Sequence, residues 1–584
     1  MNLKNVKDRL GYFKELYRDS LDKYEPFLTA FRRHVSQYKG SKQLDGASEA
    51  ALVVRNVTYE LIESQVSTLI PSPAATAKHY TELGDRLAKS IERLCTTLRD
   101  ELPFEKLNDM DERYTYIYGG SVWLLEWDST VSDGKGGVSV KCLSPTDFIP
   151  EPGVYEVEEM EYCFLRFHST KGQVARRYGV SPEQLREGGE DGDPDTVEVV
   201  VAFWRNEENR VCRFVFTDDL TLSDEEDYYG RKSPVCRHCG KRRGLCGCDA
   251  PSFSLVSEEA EYPSSDIHLS DGRIIPAMSP VTDGYGNLLS ESTAPTRLPV
   301  YRPRRFPIVI RKNTSEEKSL FGQSDCEFIR PQQQEINKIE SRILLKLMRS
   351  GVTPILPDDA EMTLDNSIFG QVIKLRAGDA KDRYGVLDTT PSIAEDVLQS
   401  DRLYDHAKRI LGISDTYAGI SDSTAISGYA KKIQVEQSAG RLESKRKMKQ
   451  TAYAELDRIL FEYHLAYADE ARPLTYKDAF GKRHALAFHR YDFLRFHEET
   501  GRYEYDDGFL FSVDLGSDVE QRRDLLWERN LENLKNGTLG DPSSPATLLH
   551  YWQCQERAHY PNAKENVEYF RGITEEEKGD TWEA

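Results

Sequence analysis

The feature that most constrains this chain is a single helical run from Ser427 to about Tyr467, some forty residues long. Ordinary globular helices average about 10–14 residues, so an element of this length spans a large assembly or crosses a whole domain. Its middle is polar, with Lys445, Arg446, Lys447 and Lys449. Two medium helices precede it. Ile329, Ile336, Ile339, Ile343 and Leu347 step by sevens, threes and fours, which predicts a helix over 329–349. Pro331 fits its first turn, and Gly351 and Pro354 end it. Ile393, Val397, Tyr404, Ala407 and Leu411 predict a second helix over 393–411. Between the two, residues 352–391 read as a compact strand-and-turn module with strands at Gln371–Leu375 and Tyr384–Leu387. A stretch of small residues from Ser414 to Thr424 joins the second helix to the long one.

The N-terminal half has a different character. Leu10, Phe13, Leu16, Tyr17 and Leu21 give residues 1–39 a helical period that Pro26 interrupts. Further helices are predicted over Ser48–Leu69, stopped by Pro71-Ser72-Pro73, and over roughly 77–101. Ser121–Trp127 and Val138–Leu143 flank a glycine-rich turn and read as a hairpin, as do Val197–Trp204 and Val211–Phe216, with short helical inserts such as 170–187. Residues 218–300 carry the weakest folding signal. They hold an acidic run (Asp218, Asp219, Asp224, Glu225, Glu226, Asp227), a cysteine cluster and a Ser/Pro/Gly-rich segment, and 251–296 reads equally well as a flexible surface loop. At the far end a helix is predicted over Asp518–Asn536, with Trp527, Leu531 and Leu534 on one face and Gly537 as its cap, and the acidic tail from Glu575 is expected to fray.

With 584 residues, the chain divides into roughly four modules at about 150 residues each. Hydrophobic residues at 39% against charged residues at 30% exclude wholesale disorder. No apolar run of about 18 residues exists, which excludes a spanning helix, and the charged N-terminus does not read as a secretory signal. The expectation is a soluble protein made in the cytoplasm. A net charge of −21 argues against tight wrapping of duplex DNA, because affinity for the phosphate backbone comes largely from Lys and Arg. Any DNA role is then one of enclosure or passage.

Six of the ten cysteines are scattered (Cys95, Cys142, Cys163, Cys212, Cys326, Cys554) and read as buried thiols. The other four, Cys236, Cys239, Cys246 and Cys248, form two close pairs around a short knuckle. That spacing can place four sulfurs tetrahedrally around Zn2+, with Gly240, Gly244 and Gly247 allowing the turns and His238 as a substitute ligand. A closed four-thiolate shell leaves no site for water, so such a zinc would be structural; free thiols or a redox pair are the other readings. Arg231, Lys232, Arg237, Lys241, Arg242 and Arg243 make the same segment basic, either to touch nucleic acid or to offset thiolate charge and the acidic run upstream. A second basic cluster, Arg302, Arg304, Arg305, Arg311 and Lys312, reads as a phosphate-facing or ring-lining patch, or as a strand edge or intersubunit ion pairs. No phosphate loop, HExxH or GxSxG is present, and the twelve histidines lack metal spacing, so nothing points to an enzyme.

The order of elements from 300 to 465 resembles the portal proteins, or head-to-tail connectors, of tailed bacteriophages. Phe306-Pro307-Ile308 leads into Ser319-Leu320-Phe321-Gly322-Gln323-Ser324-Asp325, similar to that family's G-x-S-D/P lead-in to its first stem helix, which Gln332-Gln333-Gln334-Glu335-Ile336-Asn337 continues. Ile420 through Gly428 resembles the segment before its longest helix, and Asn56–Pro73 and Ser144–Gly153 resemble its wing. The likeness covers about 450 residues; the cysteine knuckle and 251–296 depart from it.

The resemblance implies an α+β portal-type subunit: wing over 1–305 with the knuckle at 230–250 and an irregular segment at 251–300, first stem helix in 306–350, clip in 351–392 and second stem helix in 393–413. A tunnel loop at 414–427, a long wing helix at 428–470, a wing β section at 471–515 and a helical crown at 516–584 complete it. It implies assembly into a homo-oligomeric ring, typically a dodecamer, at one vertex of the virion capsid. Double-stranded DNA would be packaged and ejected through the ring. The implied partners are the large terminase, a head-tail adaptor, and the major capsid and scaffolding proteins, with no membrane. Thr416, Tyr417, Ala418, Gly419, Ile420, Ser421, Asp422 and Ser423 would line the channel's narrowest part, with Gly412 and Gly419 supplying loop mobility. The rival expectation is a zinc-ribbon nucleic-acid-binding protein or enzyme that forms no ring.

Overall fold

A computed structural model describes residues 8–42, 51–79, 81–131, 135–185, 195–236, 238, 248, 253–282, 288–349, 352–357, 373–375, 385–388, 392–413, 428–477, 483–497, 501–514, 527–557, 560 and 563–580. Helix α1 (Arg9–Tyr38) starts at Asp8, whose side chain accepts a hydrogen bond from the Gly11 N–H. Pro26 does not interrupt it. An interior proline removes one helical bond, but Pro26 and Asp22, the residue four before it, are exposed, so the orphaned carbonyl can meet water. Phe13, Tyr24, Leu28 and Phe31, on both sides of the proline, stay buried and hold the two halves in line.

The helix expected over Ser48–Leu69 is much shorter. Asn56 caps α2 (Val57–Glu63) by accepting from the Tyr59 N–H, and Ser64 ends it. Where the next helix was expected to begin there is instead a strand, β1 (Ser72–Ala77), which pairs antiparallel with Phe509–Asp514 near the other end of the chain. Helix α3 (Glu82–Glu101), capped by Thr81, and α4 (Phe104–Tyr118), ended by Gly119 in the left-handed region at φ +92°, follow. Any Cβ at Gly119 would press on the Gly322 carbonyl, so the residue is held to glycine twice over.

The β-rich region begins with the expected hairpin, β2 (Gly120–Asp128) and β3 (Gly137–Leu143). Next come β4 (Phe148–Pro150), β5 (Tyr162–Thr170), α5 (Lys171–Tyr178), β6 (Thr196–Arg205), β7 (Val211–Phe216) and β8 (Thr221–Glu225). Strands β4 to β8 form one antiparallel sheet in chain order, and β6, rich in buried valines, runs near its middle. Helix α1 lies against it, with Phe13 stacked on Phe214 and Tyr17 edge-on to Phe164.

Beyond 225 the described residues are not an unstructured excursion, which corrects the loop reading. They form β9 (Lys232–Cys236), β10 (Phe253–Ser257), β11 (Ala260–Glu261), β12 (Ile267–His268), β13 (Ile274–Ile275), β14 (Met278–Thr282), β15 (Leu288–Pro295) and β16 (Leu298–Pro299), mostly as two-stranded pairs. Strand β17 (Ile308–Lys312) then returns to pair with β2.

Helix α6 (Asp325–Arg349) starts four residues earlier than its periodicity predicts, because the Ser324 hydroxyl accepts from the Cys326 N–H. Pro331 is therefore interior rather than in the first turn. The module after it has β18 (Val352–Pro357) at its centre, parallel to β19 (Ile373–Leu375) and antiparallel to β20 (Gly385–Asp388). Helix α7 (Ala394–Leu411) runs back along α6: Lys346 and Arg342 meet Asp396, and Glu340 meets Ser400, so the two are antiparallel. Helix α8 (Gly428–Tyr467) is forty residues long, as expected.

The chain closes with hairpins β21 (Arg472–Lys477) with β22 (Arg483–Phe488) and β23 (Leu494–His497) with β24 (Arg502–Tyr505), and with β25 (Phe509–Asp514) on β1. A helical stretch over 527–535 ends at Gly537, φ +71°, where the Thr538 N–H reaches the Asn533 carbonyl; residues 518–526 of the expected helix lie outside the described residues. Helices α9 (Pro545–Arg557) and α10 (Ala563–Asp580) finish the fold, and α10 runs through the acidic stretch expected to fray. The class is α+β. One large core joins α1, α3, α4, β2 to β7, β17 and the C-terminal half of α8. A second, smaller one joins Val57 and Leu61 of α2 to Ile329 and Ile336 of α6 and Ala407, Leu411 and Ile413 at the end of α7.

Candidate functional site

All eight residues expected to line a channel, Thr416 to Ser423, lie outside the described residues, as does the rest of 414–427. The boundaries of that interval are described. On its N-terminal side Gly412 is left-handed at φ +77° and its N–H closes on the Arg409 and Lys408 carbonyls, with the Ile413 N–H also on Lys408. Gly412 is thus a helix stop, its positive φ capping α7. Ile413 is buried directly after it, so the chain is pinned where the interval begins.

On the C-terminal side, α8 is bound to α3, α4 and α6 by a polar ladder. Lys445, Lys449, Tyr453 and Asp457 recur every fourth residue, so they follow one another along a slowly winding face. Each rung meets a different element. The Lys445 ammonium lies 2.7 and 2.8 Å from the two Asp325 carboxylate oxygens at the start of α6 and donates to Gln65 at 3.0 Å. Lys449 reaches Glu112 of α4 at 2.9 Å and donates to the Leu69 carbonyl at 2.7 Å. The Tyr453 hydroxyl donates to Asn108 at 3.0 Å, and Asp457 accepts from Arg99 of α3 at 2.7 Å.

At the middle of the ladder sits an ion cluster with almost no exposure. Arg311 of β17 lies between Asp111, at 2.5 Å, and Glu112, at 2.8 Å. Asp111 also accepts from the Ser121 hydroxyl and from the Trp123 indole N–H, and Glu112 accepts from the Ser67 N–H and the Tyr116 hydroxyl. Burial alone would push the Glu112 carboxyl up, but Arg311 and Lys449 more than cancel that and hold it at about 2. One rung along, burial dominates at Asp457 and raises it to about 6 against the pull of Arg99. Glu462, further along α8, is likewise raised by burial to about 7, with one carboxylate oxygen lacking a partner and Arg305 and Arg458 only partly offsetting. The sequence shows the middle of this helix only as polar; the fourfold spacing from 445 to 457 is the signal that points to the cluster.

Four members of the basic cluster before α6 are paired within the chain. Arg311 is buried, Arg302 pairs with Asp227, Arg305 with Glu158, and Lys312 with Glu156, all in the same chain. Those four cations are engaged by carboxylates of their own chain, while Arg304 of the same cluster is exposed. Of the scattered thiols, Cys95, Cys142, Cys163, Cys212 and Cys326 are buried, and Cys554 is half-buried. Of the four clustered cysteines, Cys236 and Cys248 are described, with their sulfurs 3.9 Å apart; Cys239 and Cys246 lie outside the described residues.

The distal end of the α6–α7 pair is apolar and uncovered. Met348 is 69% exposed, Leu398 52%, Val397 43% and Leu345 37%. Such side chains on adjacent helices mark a surface suited to association. No family model and no curated protein matches this chain.

Proposed function

We propose that the chain is a portal-type subunit, forming a ring-shaped channel at one capsid vertex through which double-stranded DNA is packaged and ejected. The observation that carries this reading is the order of elements: an antiparallel helix pair, α6 and α7, bracketing a small three-stranded module, then the interval 414–427, then a forty-residue helix. In this reading α6 and α7 are the stem, β18 to β20 the clip that meets the terminase motor and later the head-tail adaptor, and Thr416 to Ser423 the constriction around DNA. The major capsid and scaffolding proteins surround the wing.

Three physical points support it. The polar ladder ties α8 to the start of α6 and the middle of α4, so force on the stem is transmitted to a rigid wing rather than absorbed by a hinge. The apolar distal stem gives neighbouring copies something to bury. Finally, twelve copies of a −21 chain would carry roughly −250 charges, a field that disfavours adhesion of passing DNA. The chain then guides DNA and leaves ATP hydrolysis to a separate motor.

Native mass measurement with single-particle imaging tests the reading. A ring should weigh about 800 kDa, twelve times 66.8 kDa, and average to a disc with a central hole. A species that stays near 66.8 kDa under all assembly conditions overturns it and favours the zinc-ribbon alternative. Gly419→Pro tests the loop assignment: ring mass should be unchanged while DNA-filled heads become scarce, and normal filling would defeat the assignment.

A further inference from the structure

A cavity of about 450 Å3 opens between α1, the turn after β4 and the segment 316–324 that leads into α6. That is the size of a site for a small organic molecule. Six rings line it: Tyr24, Phe27 and Phe31 of α1, with Tyr118, Tyr155 and Phe321. Tyr24 is stacked on Phe27 at 5.3 Å, and Phe31 stands edge-on to Tyr118 at 5.4 Å and to Phe321 at 6.1 Å. Phe27 nevertheless remains 48% exposed and Tyr155 38%, so the wall still offers aromatic surface to be covered.

The charges around the cavity do not balance. Lys23 is paired with Asp19 at 2.7 Å, Arg33 with Glu327 at 2.8 Å, and Lys318 faces Glu317 at 3.9 Å. Glu151 accepts the Glu161 N–H, and neither it nor Glu316 has a cationic partner among the described residues. The wall adds two more acceptors. Burial raises the Glu327 carboxyl, but Arg33 and His34 more than offset that and keep it ionised, while burial lowers His34 and keeps it neutral. A carboxylate only accepts, so the His34 Nε2 at 3.2 Å carries the proton and Nδ1 is a bare lone pair. That Nδ1 and the Tyr24 hydroxyl are both buried without a hydrogen-bond partner in the chain. Ring faces are the negative side of the aromatic quadrupole, and unpaired lone pairs behind them deepen that potential in a low-dielectric wall.

We propose that this cavity binds a small organic cation, an ammonium or guanidinium group on an apolar stem. The stem covers Phe27 and Tyr155, and the charge is held by the rings and by the unpaired carboxylates of Glu151 and Glu316. A neutral aromatic molecule gains the same hydrocarbon contact and nothing from the carboxylates, and an anion is repelled by them. The cavity takes a whole small molecule, which favours a free ligand over the single side chain of another protein. This inference is independent of the ring reading, since every group it uses belongs to one chain.

The test uses the full-length protein with phenethylammonium as the probe. Isothermal titration should give one site per chain, with phenethylammonium bound about tenfold more tightly than the neutral isostere 2-phenylethanol and 3-phenylpropionate not detectably bound. Methylammonium has the charge without the stem and should bind about tenfold more weakly than phenethylammonium, which separates the site from general attraction to a −21 chain. Glu151→Gln with Glu316→Gln keeps an acceptor at both positions and should reduce phenethylammonium affinity about fivefold while leaving 2-phenylethanol unchanged. Phe27→Ala should weaken both ligands. Equal binding of amine and alcohol by the wild type, several weak sites per chain, or unaltered amine affinity in a folded double variant would each overturn the proposal. Binding of arginine-bearing peptides without binding of the free amine would overturn it too and reassign the cavity to a protein partner.

Discussion

At one end of α6, Asp325 has no exposed surface and is held between Lys445, Asn313 and Gln65; at the other end, Met348 and Leu398 stand in solvent. The region around the start of α6 buries ions, and the far ends of α6 and α7 expose hydrocarbon. Burying a cluster such as Arg311–Asp111–Glu112–Lys449 is costly in desolvation and gains little over an apolar core, but it fixes one arrangement of α4, β17 and α8, since any other leaves a charge unpaired. Exposing Met348, Leu398 and Val397 has the opposite logic. It leaves these side chains exposed among the described residues. The comparison teaches that buried ion pairs fix a unique internal geometry around the start of α6, whereas the proposed stem's far end is held by few apolar contacts of its own.

The sharpest way to break the comparison is Arg311→Ala. It strands two buried carboxylates and should destabilise the isolated subunit by about 3–5 kcal/mol in denaturant titrations. A loss under about 1 kcal/mol would mean that the cluster does not set the wing's geometry. Next in size is the acid limb. Glu112 sits at about 2 when folded against 4.5 for a free side chain, so it contributes stability that is complete above pH 4.5 and lost as pH falls toward 2. The advantage of wild type over Glu112→Gln should shrink by about 3 kcal/mol across that window, measured by unfolding at stepped pH.

Glu462 has the opposite sign. Its folded value of about 7 lies above its free value, so its ionisation costs stability as pH rises from 4.5 through 7. Glu462→Gln should leave stability at pH 4 unchanged and raise it by about 3 kcal/mol at pH 8.5, read from melting curves. Smallest on the isolated subunit is the stem pair Met348→Glu with Leu398→Glu. These exposed sites should shift subunit stability by less than about 0.5 kcal/mol, yet the double variant should fail to form the large species in native mass measurement. A fully assembled double variant would show that the distal stem is not a subunit contact.

What was readable in the sequence follows from how local each signal is. Helices α6, α7 and α8 are amphipathic or simply long, and their periods placed them to within a few residues. Strand β1 could not be read that way, because Ala74 to Ala77 become a strand only by pairing with β25 at the far end of the chain. Pro26 misled because the contacts that carry α1 through it, Phe13 on Phe214 and Phe31 on Phe321, come from segments hundreds of residues away. The ion cluster was hidden for a related reason. A lysine buried against a carboxylate and a lysine in water are the same letter, and Arg311 and Asp111 stand 200 residues apart. Of the sites expected from sequence, the cysteine pairs were legible from spacing alone, and Cys236 and Cys248 do come together. The role given to Gly412 was not legible, since only its backbone angle shows that it stops α7.

The ladder along α8 also sets a timetable for the nascent polypeptide. Tyr453 reaches back 345 residues to Asn108, and Lys449 completes the neutralisation of Glu112. At translation rates of roughly 5–20 residues per second, the early helices therefore wait on the order of 20 to 70 seconds for their last counter-ion. Until then Glu112 and Asp325 lack their lysines, and the N-terminal portion emerging from the ribosome has a gap in its centre. Any step that demands the completed ion cluster is postponed until about three quarters of the chain has been made.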